Sequence, residues 1–427
     1  MKKAFGILLA LVLLASANVF AEGKKETGKN VTIRVTTRWS DDAPDSKYFR
    51  DMIEKYNSLG KGITVVGEHI QNEDSYLDKL RTQFATGTPP NLFIEYGGSR
   101  IVDYVAAGAL VDYKPYLDKE PAWRDTFLPL WDKWEYKQYP GIYGIPVQFY
   151  AVCLYYNKAI FAKLGLNPPT TLDELRDVSA KIKAAGISPF MVGEKDSWRA
   201  GHLFNNLVMK SFGAEGVAKL ADRSLPYNGP DVVKLFALIK EFNDMGYFGP
   251  NAVGVDYNAE RTAFLTGQSA MHYNGSWFLG EAASSDLKDS IGVVPFPSIN
   301  PKYKDSWQGG AADAFSMAKV KDPAQIAASI DFIKFITSQE YYAGREKANM
   351  GGAYPVKFQS DPAISNPVNT QFKAAIKDAK EYRDDVQTYD TESHMLETVR
   401  LAIQGLFVGK TPQECGDEIV AKIKANQ

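Results

Sequence analysis

GIYGIPVQFYAVCLYYNK, residues 141–158, is long, aromatic and strand-rich, and helical sequence follows it in place of another regular strand–helix unit. Upstream the rhythm is regular. VTIRVTT (31–37) reads as a strand, residues 46–56 as a helix, and GITVVGEHI (62–70) as a second β-branched strand. SYLDKLRTQFATG (75–87) reads as a helix stopped by Gly87, and TPPNLFIEY (88–96) as a buried strand. Strands alternating with helices imply a largely parallel, twisted sheet covered on both faces. Residues 141–158 break that alternation.

Downstream, Thr171, Glu174 and Gly186 supply a capping box and a stop for one helix, and further helices are expected over 202–212, 230–245 and 257–266. Strands resume at SAMHYNG (269–275) and SIGVVPFP (290–297), and WQGGAADAFSMAK (307–319) reads as one more strand. Asp322 and Pro323 have the N-cap and N1 pattern of a helix running to about 337, and the chain from 369 onward reads as almost wholly helical. In MHYNGSW (271–277) the expectation is a strand over 269–273, a sharp turn at Asn274 and Gly275, a helix capped by Ser276, and Trp277 at its start.

The first 21 residues, MKKAFGILLALVLLASANVFA, combine Lys2 and Lys3 with an apolar run over 4–15 that is too short to span a bilayer. They read as a signal peptide cleaved near Ala21, with Ala17 as an alternative; no cysteine stands there to carry a lipid. The expected location is therefore periplasmic. Residues 22–30 read as a flexible leader excluded from the fold. The roughly 400 residues that remain suggest two or three domains, two being the starting point. Loss of Lys2 and Lys3 moves the net charge from -2 to -4, which gives no reason to expect nucleic acid or an anionic membrane as partner. Cys153 and Cys415 are the only cysteines. They exclude a disulfide-dense scaffold, and two buried thiols are a simpler reading than one bridge.

Residues 23–30 nearly spell a phosphate-binding loop, but Asn30 stands where a magnesium-ligating Ser or Thr is needed and no strand precedes it. His69, His202, His272 and His394 share no ligand spacing, so neither a metal nor a cofactor is implied. Asp41 with Asp42 and Asp384 with Asp385 could serve glycoside hydrolysis, although adjacent acids point apart and the second pair reads as a solvated surface or a helix start. The aromatic residues Trp39, Tyr96, Tyr150, Trp198, Trp277 and Trp307 stand in turns or at expected strand ends. Ligands of an α/β sheet bind beyond its carboxyl ends, and an aromatic face there can stack on a pyranose ring. Trp123, Trp131 and Trp134 look more like core or surface.

GIPVQFYAVCLYYNKAIFAKLGLNPPTTLDEL (144–175) resembles the signature region of family 1 extracellular solute-binding proteins, the carbohydrate-binding components of ABC importers. AERTAFLTGQSAMHYNGSWFLGE, IGVVPFPSI, GGAADAFSMAK and IAASIDFIKFITSQEYYAGREKANMGGAYPV extend the resemblance in order over nearly all of the mature chain. It departs at Cys153, where the signature usually has Gly, Ala, Ser or Val. The resemblance, maltose-binding-protein-like, implies two α/β lobes, each a mostly parallel sheet flanked by helices, joined by a hinge with the ligand between them. The first lobe would take 31–147 and 308–360, the second 148–307 and 361–427, with the chain crossing near Gln148.

It further implies a monomer that closes on a sugar and presents it to a membrane permease, without enzymatic activity. Its cleft positions fall on Trp39, Asp41, Asp42, Glu95, Tyr96, Ser99, Trp307 and Asp313 in the first lobe. In the hinge and second lobe they fall on Gln148, Tyr150, Trp198, Arg199, Trp277 and His394. The competing readings are a secreted glycosidase and a receptor for a non-sugar solute. A phosphate ligand would require clustered Arg or Lys, whereas these loops offer mostly acids and aromatics.

Overall fold

β-Branched and aromatic runs build ten strands among the described residues: β1 (Val31–Thr37), β2 (Ile63–His69), β3 (Leu92–Glu95), β4 (Ile145–Pro146), β5 (Phe149–Asn157), β6 (Met271–Gly275), β7 (Ile291–Pro295), β8 (Ser306–Ala311), β9 (Ala314–Met317) and β10 (Glu381–Arg383). The computed structural model describes residues 30–425 except 41–43, 71, 349–351, 365 and 391. The expected signal peptide, the leader up to residue 29 and the candidates Asp41 and Asp42 therefore lie outside the described residues.

The strands form two sheets, ordered β2-β1-β3-β9-β4 and β10-β8-β5-β6, with β7 also paired to β5. In the first sheet β1 is parallel to β2 and β3, while β9 is antiparallel to both β3 and β4. In the second, β5 is antiparallel to β6, β7 and β8, and β10 is parallel to β8. Each sheet thus holds four strands of one direction and a single reversed one. The reversed strands are the two that arrive from the other sheet: β4 runs directly into β5, and β8 directly into β9. A strand entering from the side where its neighbours end must run against them. The expected mostly parallel sheets are present in strand direction, and helices flank both.

The two crossings are tied to one another. Val147 N donates to Asp313 O at 2.9 Å and Ala312 N to Gln148 O at 2.8 Å. One apolar core surrounds Ile33, Leu92, Phe93, Phe315, Phe332 and Tyr342; another surrounds Leu154, Phe204, Phe236, Tyr273, Val399 and Ile419. Separate cores joined by two short, hydrogen-bonded strand crossings, with a third passage of the chain between Val356 and Val386, are the arrangement from which hinge closure is built.

Local signals act as the sequence implies. Thr171 Oγ1 accepts from Glu174 N at 3.3 Å and Glu174 Oε2 accepts from Thr171 N at 3.2 Å, closing the capping box of helix Leu172–Ala184. Asp322 caps helix Pro323–Ile336 through Ala324 N. Three readings differ. Residues 307–319 are two strands, β8 and β9, because the chain changes sheets at Ala312 and Asp313. The C-terminal part contains β10, a three-residue strand lying parallel to β8, too short to show a periodicity. Helix Trp198–Ala221 continues through a kink at Gly213, φ 65°, and is buried on most sides, which erases the one-sided apolar stripe that marks a helix end.

No helix among the described residues is long and apolar enough to cross a membrane. Cys153 and Cys415 are both free and buried; burial pushes the Cys415 thiol up to about 12. Thr171→Ala removes one side of the capping box and is expected to cost about 1 kcal/mol of stability in urea unfolding, with no loss of ligand affinity.

Candidate functional site: the cleft between the lobes

β6 does not turn at Asn274 and Gly275; both belong to the strand, and Gly275 is extended at φ −78°, ψ 168°. Glycine is needed there for space, since a Cβ would overlap the indole of Trp277. Ser276 does not cap a helix: its Oγ donates to Phe149 O at 3.3 Å, and Trp277 sits in a single turn of 3₁₀ helix, Ser276–Phe278. Its Nε1 donates to Tyr257 Oη at 2.9 Å, which fixes the ring. Tyr150, His202 and Trp198 surround that half-buried ring at centroid distances of 5.4, 5.6 and 6.1 Å. These are the separations of offset and edge-on aromatic pairs.

Arg199 lies behind this cluster. It is 0% exposed, and its Nε and Nη2 form a two-pronged pair with Glu260 at 2.8 and 2.6 Å while Nη2 also meets Tyr273 O. Glu260 accepts further from Gly193 N at 2.8 Å. Burial alone would raise its pKa, but Arg199 and His272 overcome this and hold it down at about 2. The guanidinium also stacks on Trp198, Tyr257 and Tyr273. Arg199 positions the aromatic residues and does not itself face the cleft.

Below the rings lies a buried polar layer. Tyr150 Oη and Lys133 Nζ both donate to Asp384. Asp385 accepts from Gln308 Nε2 at 2.8 Å and Arg400 Nη2 at 3.2 Å, with His202 Nε2 at 3.7 Å. Burial opposes the charge on Asp385, yet the Arg400 guanidinium and the hydrogen bonds from Arg400 and Gln308 hold its pKa below the usual range. Gln308 Nε2 also donates to His202 Nδ1 at 3.2 Å; this requires a neutral ring, in keeping with a His202 pKa lowered by burial. The expectation of a solvated Asp384 and Asp385 is corrected: they are 7% and 4% exposed and accept hydrogen bonds from both lobes.

The first lobe faces this layer with the loops that follow its strands. Arg38, after β1, donates through Nη2 to Asp313 at 2.7 Å, lies 3.7 Å from Glu95, and stacks on Tyr96 at 4.1 Å. Burial pushes the Asp313 carboxyl up and Arg38 opposes it. Arg100 covers Tyr96 from 4.8 Å and pairs with Glu73 at 2.6 Å. Glu73, despite burial, is held down at about 2 by Arg100, Arg38 and, from the other lobe, Arg400. Ser99 Oγ donates across the cleft to Gln387 O at 2.8 Å. Gly98, at φ 59°, has no room for a Cβ against Thr388 O; the lobes touch there through backbone. Trp39 is half-buried, edge-on to Phe49 and Phe315.

The cleft therefore brings together Glu95, Tyr96, Ser99, Gln148, Tyr150, Trp198, Trp277 and Asp313, with Trp39 at the end of β1. Two further candidates fall elsewhere. Trp307 is 2% exposed in a core, with Lys210 Nζ 4.8 Å above its ring; on β8 its neighbour Gln308 takes the cleft side because side chains alternate. His394 pairs with Glu392 at 3.3 Å at the start of helix Met395–Gln404, and the imidazole in the aromatic cluster is that of His202. Sequence reasoning missed His202, Tyr257, Gln308, Arg38, Arg100, Lys133 and Arg400. His202 and Trp198 stand four apart on one helix, a spacing that could have joined them.

The sequence profile of the bacterial extracellular solute-binding proteins matches residues 40–343, and the chain belongs to that family. It is 31% identical to the multiple sugar-binding protein of Streptococcus mutans over 222 residues, 49% of this chain and 51% of that one. It is 24% identical to the maltotriose-binding protein of Pyrococcus abyssi over 349 residues, 80% of this chain and 71% of that one. The match spans about half the length of the first relatives, 50% and 51%. A solved chitin oligosaccharide binding protein superposes with a TM-score of 0.85 at 25% identity, over 93% of this chain and 100% of that one.

Removing one partner of the Arg199–Glu260 pair leaves a buried charge, so Arg199→Met should cost about 3–5 kcal/mol in denaturant unfolding, and Arg199→Met/Glu260→Leu much less. Because Glu260 is depressed to about 2 from an ordinary 4.5, its contribution is present above pH 4.5 and is lost as pH falls toward 2. The double variant should show a shallower decline over that window.

Proposed function

We propose that the protein is an exported receptor that captures a neutral mono- or oligosaccharide between its lobes, closes on it and delivers it to the membrane permease of an ABC importer. The observation that carries this reading is the half-buried indole of Trp277, fixed by Tyr257 and ringed by Tyr150 and Trp198, above a polar layer with no spare positive charge. Arg38, Arg100, Lys133 and Arg400 are each paired, against Glu73, Glu95, Asp313, Asp384 and Asp385. Aromatic faces with neutralised hydrogen-bonding groups suit a ring bearing hydroxyls; a phosphate or carboxylate would need an unpaired cation. Arg38 Nη1 and Glu95 Oε1 face one another at 3.7 Å, an ion pair without a hydrogen bond. The sugars named for the relatives point the same way.

The division into 31–147 with 308–360 and 148–307 with 361–427 is part of the proposal; the membership of the two cores supports it, with the second boundary moved to Ala312 because β8 belongs to the second sheet. The stacking and hydroxyl-binding set we propose is Trp39, Glu95, Tyr96, Ser99, Gln148, Tyr150, Trp198, Trp277 and Asp313, with His202 added. Asp41 and Asp42, just after Trp39, remain in it. A signal peptide ending near Ala21, a periplasmic location and a monomeric state complete the reading. Hydrolysis is disfavoured, since a glycosidase keeps one carboxyl protonated beside the scissile bond, whereas Asp384 and Asp385 are held by Lys133, Tyr150, Gln308 and Arg400.

Trp277→Ala should weaken saccharide binding by about 2 kcal/mol, roughly thirtyfold, as a central aromatic anchor does, with an unchanged circular dichroism spectrum. Calorimetric titration with the best-binding sugar checks this; equal affinities would remove Trp277 from the site.

A further inference from the structure

A small cavity opens beside Trp277 and Tyr150, on the side of Gln148 and Ser276, and its far wall comes from the first lobe: Arg345 and Tyr354. Both of these residues are 7% exposed. Arg345 Nη2 donates to Asp45 Oδ2 at 2.8 Å, so the guanidinium is held and its charge matched. Its Nε has no hydrogen-bond partner among the described residues, and neither has the hydroxyl of Tyr354. The Tyr354 ring is held independently of that hydroxyl, by Tyr342 at 4.8 Å and Phe358 at 5.1 Å. Buried polar groups are rarely left unpaired, because each loses its water without recompense. Two of them on one wall of a cavity whose opposite wall is an aromatic pair are placed for a ligand that supplies the missing partners.

We infer that Arg345 and Tyr354 form a hydroxyl-recognising pair for the sugar ring that lies against Trp277. The inference rests on the saccharide reading and deepens it. Arg345 Nε–H donates to one ring hydroxyl, and Tyr354 Oη exchanges a hydrogen bond with another. Because Asp45 already balances the guanidinium, the pair selects neutral polyhydroxyl ligands over sugar acids. Since both groups belong to the first lobe while Trp277 belongs to the second, the pair is engaged only in the closed form. It therefore contributes to closure as well as to affinity.

The test uses Tyr354→Phe in the full mature protein, with Arg345→Lys as a second variant that keeps the charge beside Asp45 but loses Nε. Galactose, maltotriose and chitin oligosaccharides are titrated calorimetrically into wild type and variants. The expected result is an unchanged ligand-free melting temperature for Tyr354→Phe and an affinity about 3- to 10-fold weaker for the best-binding sugar, with galacturonate failing to bind in galactose's place. Wild-type affinity in Tyr354→Phe overturns the inference and leaves the saccharide reading standing. A wild type that binds none of the sugars overturns both.

Discussion

Two of the chain's passages between the lobes are strand crossings bonded to one another. Val147 and Gln148 both donate to Asp313 O, and Ala312 donates back to Gln148 O. These bonds hold the two crossings side by side between separately packed lobes, and a third passage of the chain, after Val356 of the first core and before Val386 of the second, joins them as well. The crossing residues are also cleft residues: Asp313 binds Arg38, and Gln148 lines the cavity beneath Trp277. The hinge and the binding site share backbone, which couples a ligand's contacts to the angle between the lobes.

The polar bridges between the lobes add little net attraction by themselves. Lys133 with Asp384 and Ser99 with Gln387 join the lobes, but a buried ion pair recovers little beyond the cost of removing its charges from water. A closed form nearly balanced against the open one is what a receptor requires, because a ligand then shifts the population by its differential contacts alone. A strongly self-adhesive cleft would close empty.

Much of this was legible in the sequence. Alternating strand and helix patterns specify α/β units, the aromatic run at 141–158 marks the first crossing, and the capping signals at Thr171 and Asp322 sit where the helices begin. The aromatic anchors were legible because Trp277 and Tyr150 stand at strand ends. The polar partners were not. Arg38, Lys133, Arg400 and the buried Asp384–Asp385 pair come from four separate segments, and no local spacing announces that charges distant in sequence will neutralise one another. Trp307 and Arg199 misled for a related reason. Each looks like a cleft residue in sequence, and each is withdrawn from the cleft by a neighbour that only the fold supplies, Lys210 over one and Glu260 against the other.

The most direct test is the melting temperature of the mature protein across neutral saccharides, the matching uronic acids and sugar phosphates. A ligand that binds only the folded, closed form raises stability by RT ln(1 + [L]/Kd). The account predicts a concentration-dependent rise for at least one neutral saccharide and none for its anionic counterparts. A rise confined to anionic ligands, or a flat response to every neutral sugar, would contradict it.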